Sequence, residues 1–586
     1  MRRIGFLILL LALPVWADET FPKPEWKDAP CPLASPDAVP GGTLVFAASQ
    51  PPKSLNVLLD NNTFSQLIFD SLYETLLQLD PLTAEFTPGL AGHWTISSDK
   101  RVFTFMLDPA ATWSDGQPVT AQDVKWTFDK IMDPSSLTGP VKVGLQTFTN
   151  TPPVVLDLRT IRFTAGEVHW RNLLSLGGFE IMPQHAFSNA DFNKINFEFP
   201  VVSGPYRLGE MKENIELRLE RRANWWQRVR PSTRGTMNFQ TIVHRFYAEQ
   251  ENAFEAFQKG EIDVYPVYIS RLWRNEAKGD RYDRAWIVKQ RIRNHHPIGF
   301  QGFAMNLRRP PFDDLRVRQA LACLLDRETM NRTLMFNAYF LQRSYFEDLY
   351  DSSHPCVNVV YAFDPPRARK LLKQAGWKIN PDSGWLEKDG RRLSVSFLTR
   401  DAASDKFLAL YSADLKKEGI ELKIERKDEA AWMRDMDAFN FDMTWASWSR
   451  GLFEDPEAMW SSAEADRPAG SNITGFKSAQ VDALIEKQKT IFDIRERNAI
   501  CREMDAMLAD QEPYVLLWNL DYTRLLYWNK FGTPPTVLDK TGDERALFAY
   551  WWYDADSAAE LKAAMQTGAS LPARPELVEF DKVFKP

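Results

Sequence analysis

A multidomain α/β protein is the fold class predicted for this chain, and two observations predict it. Segments with every second residue apolar alternate with segments whose apolar residues recur at i, i+3, i+4 and i+7, the signatures of strand and of helix. The chain has 586 residues, more than one hydrophobic core can serve, so two or three domains are expected.

The elements follow in order. "VPGGTLVFAAS" offers Gly41-Gly42 as a turn and then a short strand. "SQLIFDSLYETLLQLD" places Leu72, Leu76 and Leu79 on one helix face. "VFTFMLD" alternates Phe103, Phe105 and Leu107, a strand. After a turn at Asp115-Gly116, Thr120 caps a helix whose stripe is Val124, Phe128 and Ile131. "SGPYRLGEM" enters a strand near residue 204. "QGFAMNLRRPPFDDLRVRQALACLLDRE" reads as a strand, a Pro-Pro stop and a helix from near Asp313 that buries Val317, Ala320, Leu321 and Leu324. Asp364 caps another helix, Pro365 opens it and Gly376 ends it, with Ala368, Leu371, Leu372 and Ala375 as its stripe. "ADLKKEGIELKIER" is helix, Gly419, then a strand alternating Ile420, Leu422 and Ile424. There is no internal repeat and no low-complexity segment.

Composition narrows the function classes. The first residues read "MRRIGFLILLLALPVWADET": two arginines, a short apolar run and the small-residue pattern Val15-Trp16-Ala17. This is the form of a signal peptide cut after Ala17, too short to span a bilayer. An exported protein is expected. No later apolar run approaches membrane length. Removing Arg2 and Arg3 from 71 basic side chains leaves 69 against 78 acidic, a formal charge of −9 that argues against nucleic acid. Four cysteines, at 31, 323, 356 and 501, suit an oxidising compartment but are too few to form a scaffold. Cys323 sits within an apolar helix stripe and is expected as a buried thiol. Cys31 and Cys356, beside prolines in loop-like sequence, are expected to pair.

No catalytic or cofactor motif is present: no G-x-S-x-G, P-loop, H-E-x-x-H or C-x-x-C. His295 and His296 are adjacent, and adjacent side chains on a strand point apart, so they do not converge on a metal. Asp313-Asp314 reads as helix-start charge. The expectation is a protein with no cofactor, no metal and no catalytic residue. A secreted hydrolase is the remote alternative.

The aromatic content is unusual. Twenty tryptophans occur, and "TWASWSRGLFEDPEAMW" (444–460) holds three of them on a stretch broken by Gly451 and Pro456. Such a segment either plugs a core or lines a cavity.

"LYETLLQLDP", "WSDGQPVTAQDVKWTF", "SGPYRL" and "MNLRRPPFDDLRVRQALACLLDRE" resemble the large substrate-binding proteins of peptide ABC importers, the family-5 extracellular solute-binding proteins, in order and spacing. "RGTMNFQTIVHRFYAEQENAFEAFQKGEIDV", "MFNAYFLQRSYFEDL" and "YWWYDADSA" resemble the Yej-type branch, associated with oligopeptides and microcin C. The resemblance implies the large three-domain type of two-lobe periplasmic binding fold, hinged between lobes. Lobe I is placed at 18–85, 201–300 and 525–586 with an inserted subdomain at 86–200, and lobe II at 301–524. It also implies a monomer that captures an oligopeptide or peptide-derived ligand between the lobes and delivers it to a membrane permease. An oligosaccharide or other non-peptide solute is the alternative ligand.

In family members that bind free peptides, a tryptophan is followed three residues later by an aspartate that grips the ligand's ammonium. Here Trp448 is followed at that spacing by Gly451, so the acid is missing; Glu454 or Asp455 is the nearest substitute. The candidate ligand-binding residues are therefore Trp448, Arg450 and Trp445. Asn306, Trp518 and Asn519 join them by position in the family pattern. Tyr73 belongs to a matched segment and fits packing as well as contact.

Overall fold

The computed structural model describes residues 18–585 apart from 50, 52–53, 57–61, 190, 192 and 195–197. The expected signal peptide lies outside the described residues. Two compact units are present: Met1–Pro32 with Ala48–Ala248, and Leu33–Ala47 with Glu249–Pro586.

The first unit contains an antiparallel sheet in the order Glu19–Phe21, Ala91–Ile96, Val102–Leu107, Thr160–Thr164, Val154–Val155. The alternation of Phe103, Phe105 and Leu107 places all three in its core. Helix Ala121–Met132 starts where Thr120 predicts, in a reciprocal capping box with Asp123, and buries Val124, Phe128 and Ile131. The same unit also holds an antiparallel meander of Tyr206–Lys212, Glu216–Arg221 and Phe239–Phe246.

The helix expected through Leu79 stops at Leu72, and Leu77–Leu79 is a strand paired with Phe86–Pro88. The cause lies at Glu74. Its backbone N–H donates to Ser203 Oγ, and its buried carboxylate accepts from Trp225, Trp226 and Gln227 at 2.6–2.9 Å. These tertiary bonds pull the chain out of the helical path that the leucine spacing favours.

In chain order the second unit carries β1 (Gly41–Ala48, which runs on into the first unit), β2 (Val264–Pro266), β3 (Ile287–Arg293) and β4 (Phe300–Met305). It continues with β5 (Phe340–Leu341), β6 (Ser394–Thr399), β7 (Glu421–Arg426) and β8 (Met443–Trp448). The last are β9 (Tyr514–Leu516), β10 (Trp518–Asn519), β11 (Thr523–Trp528) and β12 (Leu577–Glu579). One run of strands has the order β12-β3-β11-β2-β1. A separate five-stranded sheet has the order β7-β6-β8-β4-β9, in which β7, β6 and β8 are parallel and β4 runs antiparallel to both β8 and β9.

This second sheet is covered on both faces. On one face, Phe303 and Phe397 meet Val317, Leu321, Leu372, Leu408 and Tyr411 from helices Leu315–Cys323, Pro365–Gln374 and Asp405–Lys417. On the other, Phe300 and Leu398 meet Trp460, Val481, Ile500 and Met504. Double coverage explains why β6 and β8 bury residues on both faces. The Pro-Pro stop holds, with Asp314 rather than Asp313 capping the next helix; Asp364 caps as expected.

None of the four cysteines is in a disulfide, which corrects the expected Cys31–Cys356 bridge. Cys31 belongs to the first unit and Cys356 to the second, where its thiol faces the Arg343 carbonyl. Cys323 is a buried thiol, and burial raises its pKa to about 11. His295 and His296 meet separate partners, Asp581 and the Thr541 carbonyl. Among the described residues, no helix is long and apolar enough to cross a membrane.

Candidate functional site

The aromatic segment divides its work. Trp460 plugs the core: it is 2% exposed and packs edge-on against Tyr345, Phe476 and Tyr514. Trp445 and Trp448, both half-buried, line a cavity of about 520 Å³ at the carboxyl ends of β6 and β8. Ligand sites in open α/β sheets sit at that end of parallel strands. Phe407, Trp432, Arg400 and Ser404 supply further walls.

Strand pleating sends Trp445 and Trp448 to opposite faces of the sheet. Trp445 packs against Phe303, Phe407 and Trp518, with ring centroids 5.4, 5.5 and 5.9 Å away. Its indole N–H donates to Gln301 Oε1 at 3.0 Å, and Gln301 Nε2 donates to the Trp518 carbonyl at 2.7 Å. Trp448 packs over the opposite core. Its carbonyl approaches Gly299 so closely that a Cβ there would stand 2.0 Å from the oxygen. Burial pushes the Tyr514 phenol pKa up, and the Trp448 indole beside it pulls the other way.

The charged walls are already paired. The Arg400 guanidinium lies over the Trp432 ring at 4.1 Å and bonds Glu429. Asp401 accepts from the Ala403 N–H at 2.7 Å, capping a short turn. Thr399 and Ser404 share a hydrogen bond. The cavity therefore offers mostly apolar surface, with the rings of Phe407, Trp432, Trp445 and Trp448 among its walls.

Arg450 is placed differently from a free donor fork. Its side chain is 7% exposed and bonds both Asp348 and Glu454, with the guanidinium 5.3 Å from the Phe346 ring centroid. It ties the loop after β8 to segment 346–348. Glu454, the nearest substitute acid, is the partner of Arg450; burial raises its pKa and Arg450 opposes the rise. Asp455 accepts from the Glu457 N–H. Beside Gly451 the space is open, with the nearest atom 3.7 Å from where a Cβ would stand.

The remaining sequence candidates fall outside the cavity wall. Asn306 is fully buried; its amide donates to the carbonyls of Phe439 and Phe441, both at 2.9 Å. Trp518 backs Trp445, and Asn519 donates to the Gly299 carbonyl at 2.7 Å. Tyr73, in the first unit, is buried and donates to the Val201 carbonyl. Sequence reasoning missed Phe407, Trp432 and Arg400. The available signal was "TRDAASDKF", a polar stretch that ends on an aromatic residue.

Residues 85–469 match the family described as bacterial extracellular solute-binding proteins, family 5 Middle. A putative binding protein of Brucella suis biovar 1 (strain 1330) is 27% identical over 574 residues, covering 89% of this chain and 91% of the relative. A probable peptide-binding protein YejA of Agrobacterium fabrum (strain C58) is 27% identical over 543 residues, covering 85% and 87%. Among solved structures, the oligopeptide-binding protein AppA of Bacillus subtilis, in complex with a nonapeptide, superposes with a TM-score of 0.69 at 20% identity, covering 88% of this chain and all of that one. The fold is the α/β fold of these binding proteins, and the chain belongs to the family-5 bacterial extracellular solute-binding proteins.

Proposed function

We propose that this protein is the periplasmic binding component of an ABC importer for oligopeptides or peptide-derived solutes. It is exported by cleavage after Ala17, works as a monomer and performs no chemistry. Capture occurs by closure of a lobe at 301–524 toward a lobe built from 18–85, 201–300 and 525–586, with 86–200 inserted, before transfer to a membrane permease. The observation that carries this reading is the cavity at the ends of β6 and β8, walled by Trp445, Trp448 and Phe407 with its charges paired off. Ring faces of this kind accept side chains of many shapes without demanding one sequence. The peptide-binding name of the Agrobacterium relative and the nonapeptide in the Bacillus structure support the ligand class.

Within this reading Trp445 and Trp448 contact ligand, Trp518 and Gln301 hold Trp445 in place, and Arg450 fixes the loop that carries Gly451. Native mass spectrometry of protein purified without unfolding tests the assignment. Peptide or peptide-derived masses are expected, and an oligosaccharide as the sole adduct would overturn it.

A further inference from the structure

The ladder between β3 and β11 sets Arg524 directly opposite Arg291. Like charges in that position repel and need neutralising. The neighbours on β3 are provided for. Arg291 has Glu576 at 3.5 Å, Arg293 has Asp521 at 3.1 Å and Glu579 at 3.3 Å, and Lys289 donates to the carbonyls of Trp273 and Ala277. Arg524 has no such provision. It is 2% exposed, and among the described residues it bonds no carboxylate. One terminal nitrogen donates to Ser270 Oγ at 3.0 Å, while Nε and Nη2 are buried without an acceptor. These two atoms form one edge of the guanidinium fork, the edge that pairs side-on with a carboxylate.

The surroundings hold the fork in place without neutralising it. The guanidinium carbon lies 5.3 Å from the Tyr339 ring centroid and 5.7 Å from that of Tyr522. Tyr522 is fixed by its hydroxyl to the Ala338 carbonyl; the Tyr339 backbone is tied to the Asn331 side chain, and its hydroxyl accepts one 3.2 Å bond from Ser270. A cation buried with no counter-charge destabilises a fold. Native structures keep such groups where they have a further task.

We propose that Arg524 is a carboxylate-binding subsite, whose Nε and Nη2 take both oxygens of an anionic group on the transported solute. Tyr339 is the cover that moves aside to admit it. The subsite adjoins the aromatic wall through the strands: Tyr339 precedes β5, β5 pairs with β10, and Trp518 of β10 packs on Trp445. This deepens the peptide reading, because a free peptide ends in a carboxylate, yet it is testable apart from it.

The experiment measures thermal stability and calorimetric binding for wild type, Arg524→Met and Arg524→Lys. The probes are tetra-alanine, tetra-alanine amide, and sodium acetate or phosphate against chloride at equal ionic strength. Wild type is expected to bind the free acid at least tenfold more tightly than the amide, about 1.4 kcal/mol, and both variants are expected to lose that preference. Should neither peptide bind, acetate stabilising wild type but not the variants upholds the subsite while counting against the peptide reading. Unliganded Arg524→Met is expected to melt at or above wild type, since a buried unpaired cation is gone. If it does not fold, Arg524→Lys, which keeps the charge without the fork, gives the same readout. Melting of Arg524→Met several degrees below wild type, with no carboxylate effect in either protein, identifies a structural cross-link and overturns the proposal. Stabilisation by phosphate but not by carboxylates overturns the assigned chemistry.

Discussion

The indole N–H of Trp445 donates to Gln301 Oε1 at 3.0 Å, across the antiparallel pair β4–β8. Because Gln301 also donates to the Trp518 carbonyl, one amide sets the angle between two tryptophans. Replacing Gln301 by alanine leaves a part-buried indole donor unpaired, at a cost of about 1–3 kcal/mol. Chemical denaturation of Gln301→Ala is expected to show that loss, together with weakened ligand binding. Unchanged stability would mean that ring packing alone holds Trp445.

Gly299 is the second point of support. A methyl group there would stand 2.0 Å from the Trp448 carbonyl, and backbone cannot yield as a side chain does. Gly299→Ala is therefore expected to displace the end of β8 and lower the melting temperature by several degrees. Thermal melting at the wild-type value would contradict the close approach.

Glu512 provides a pH test. It is buried at the end of helix Ile494–Gln511, and burial raises its pKa from 4.5 to about 8, with Arg327, Arg318 and Arg367 opposing the rise. A folded-state pKa above the unfolded value favours the protonated carboxyl. Its stabilising contribution is therefore complete below about 4.5 and lost as the pH rises through about 8. Glu512→Gln removes this slope, so its melting temperature should gain on wild type between those values. Parallel curves would contradict the assignment.

The missing acid at Gly451 predicts tolerance of blocked peptides. An ammonium buried without a partner costs roughly 3–5 kcal/mol, and the nearest substitutes, Glu454 and Asp455, are engaged by Arg450 and the Glu457 N–H. N-terminal acetylation of a bound peptide is expected to change its calorimetric Kd by less than tenfold. A larger loss would show that the ammonium is recognised.

Periodicity made the strand Val102–Leu107 and the helices Ala121–Met132 and Pro365–Gln374 legible, because their packing partners lie on the faces that their own spacing defines. It failed at Leu76 and Leu79, where side chains some 150 residues away bond Glu74 and end the helix. Trp448 was legible as a candidate through the family spacing to Gly451, and Trp445 as a second aromatic face on the same segment. Arg450 was legible as a residue but not as a pairing, since Asp348 lies a hundred positions off. The cysteine pairing failed because loop-like sequence around Cys31 and Cys356 carries no information on whether the two thiols meet. Non-reducing peptide mapping is expected to find no link between them.

Calorimetry on the solute recovered by native mass spectrometry, titrated into wild type and into Trp448→Ala, tests whether the aromatic cavity is the binding site. At least a tenfold weaker Kd is expected for the variant, about 1.4 kcal/mol, with its far-ultraviolet circular dichroism unchanged. An unchanged Kd in a folded Trp448→Ala would return that tryptophan to the core and contradict the assignment of the aromatic cavity as the binding site.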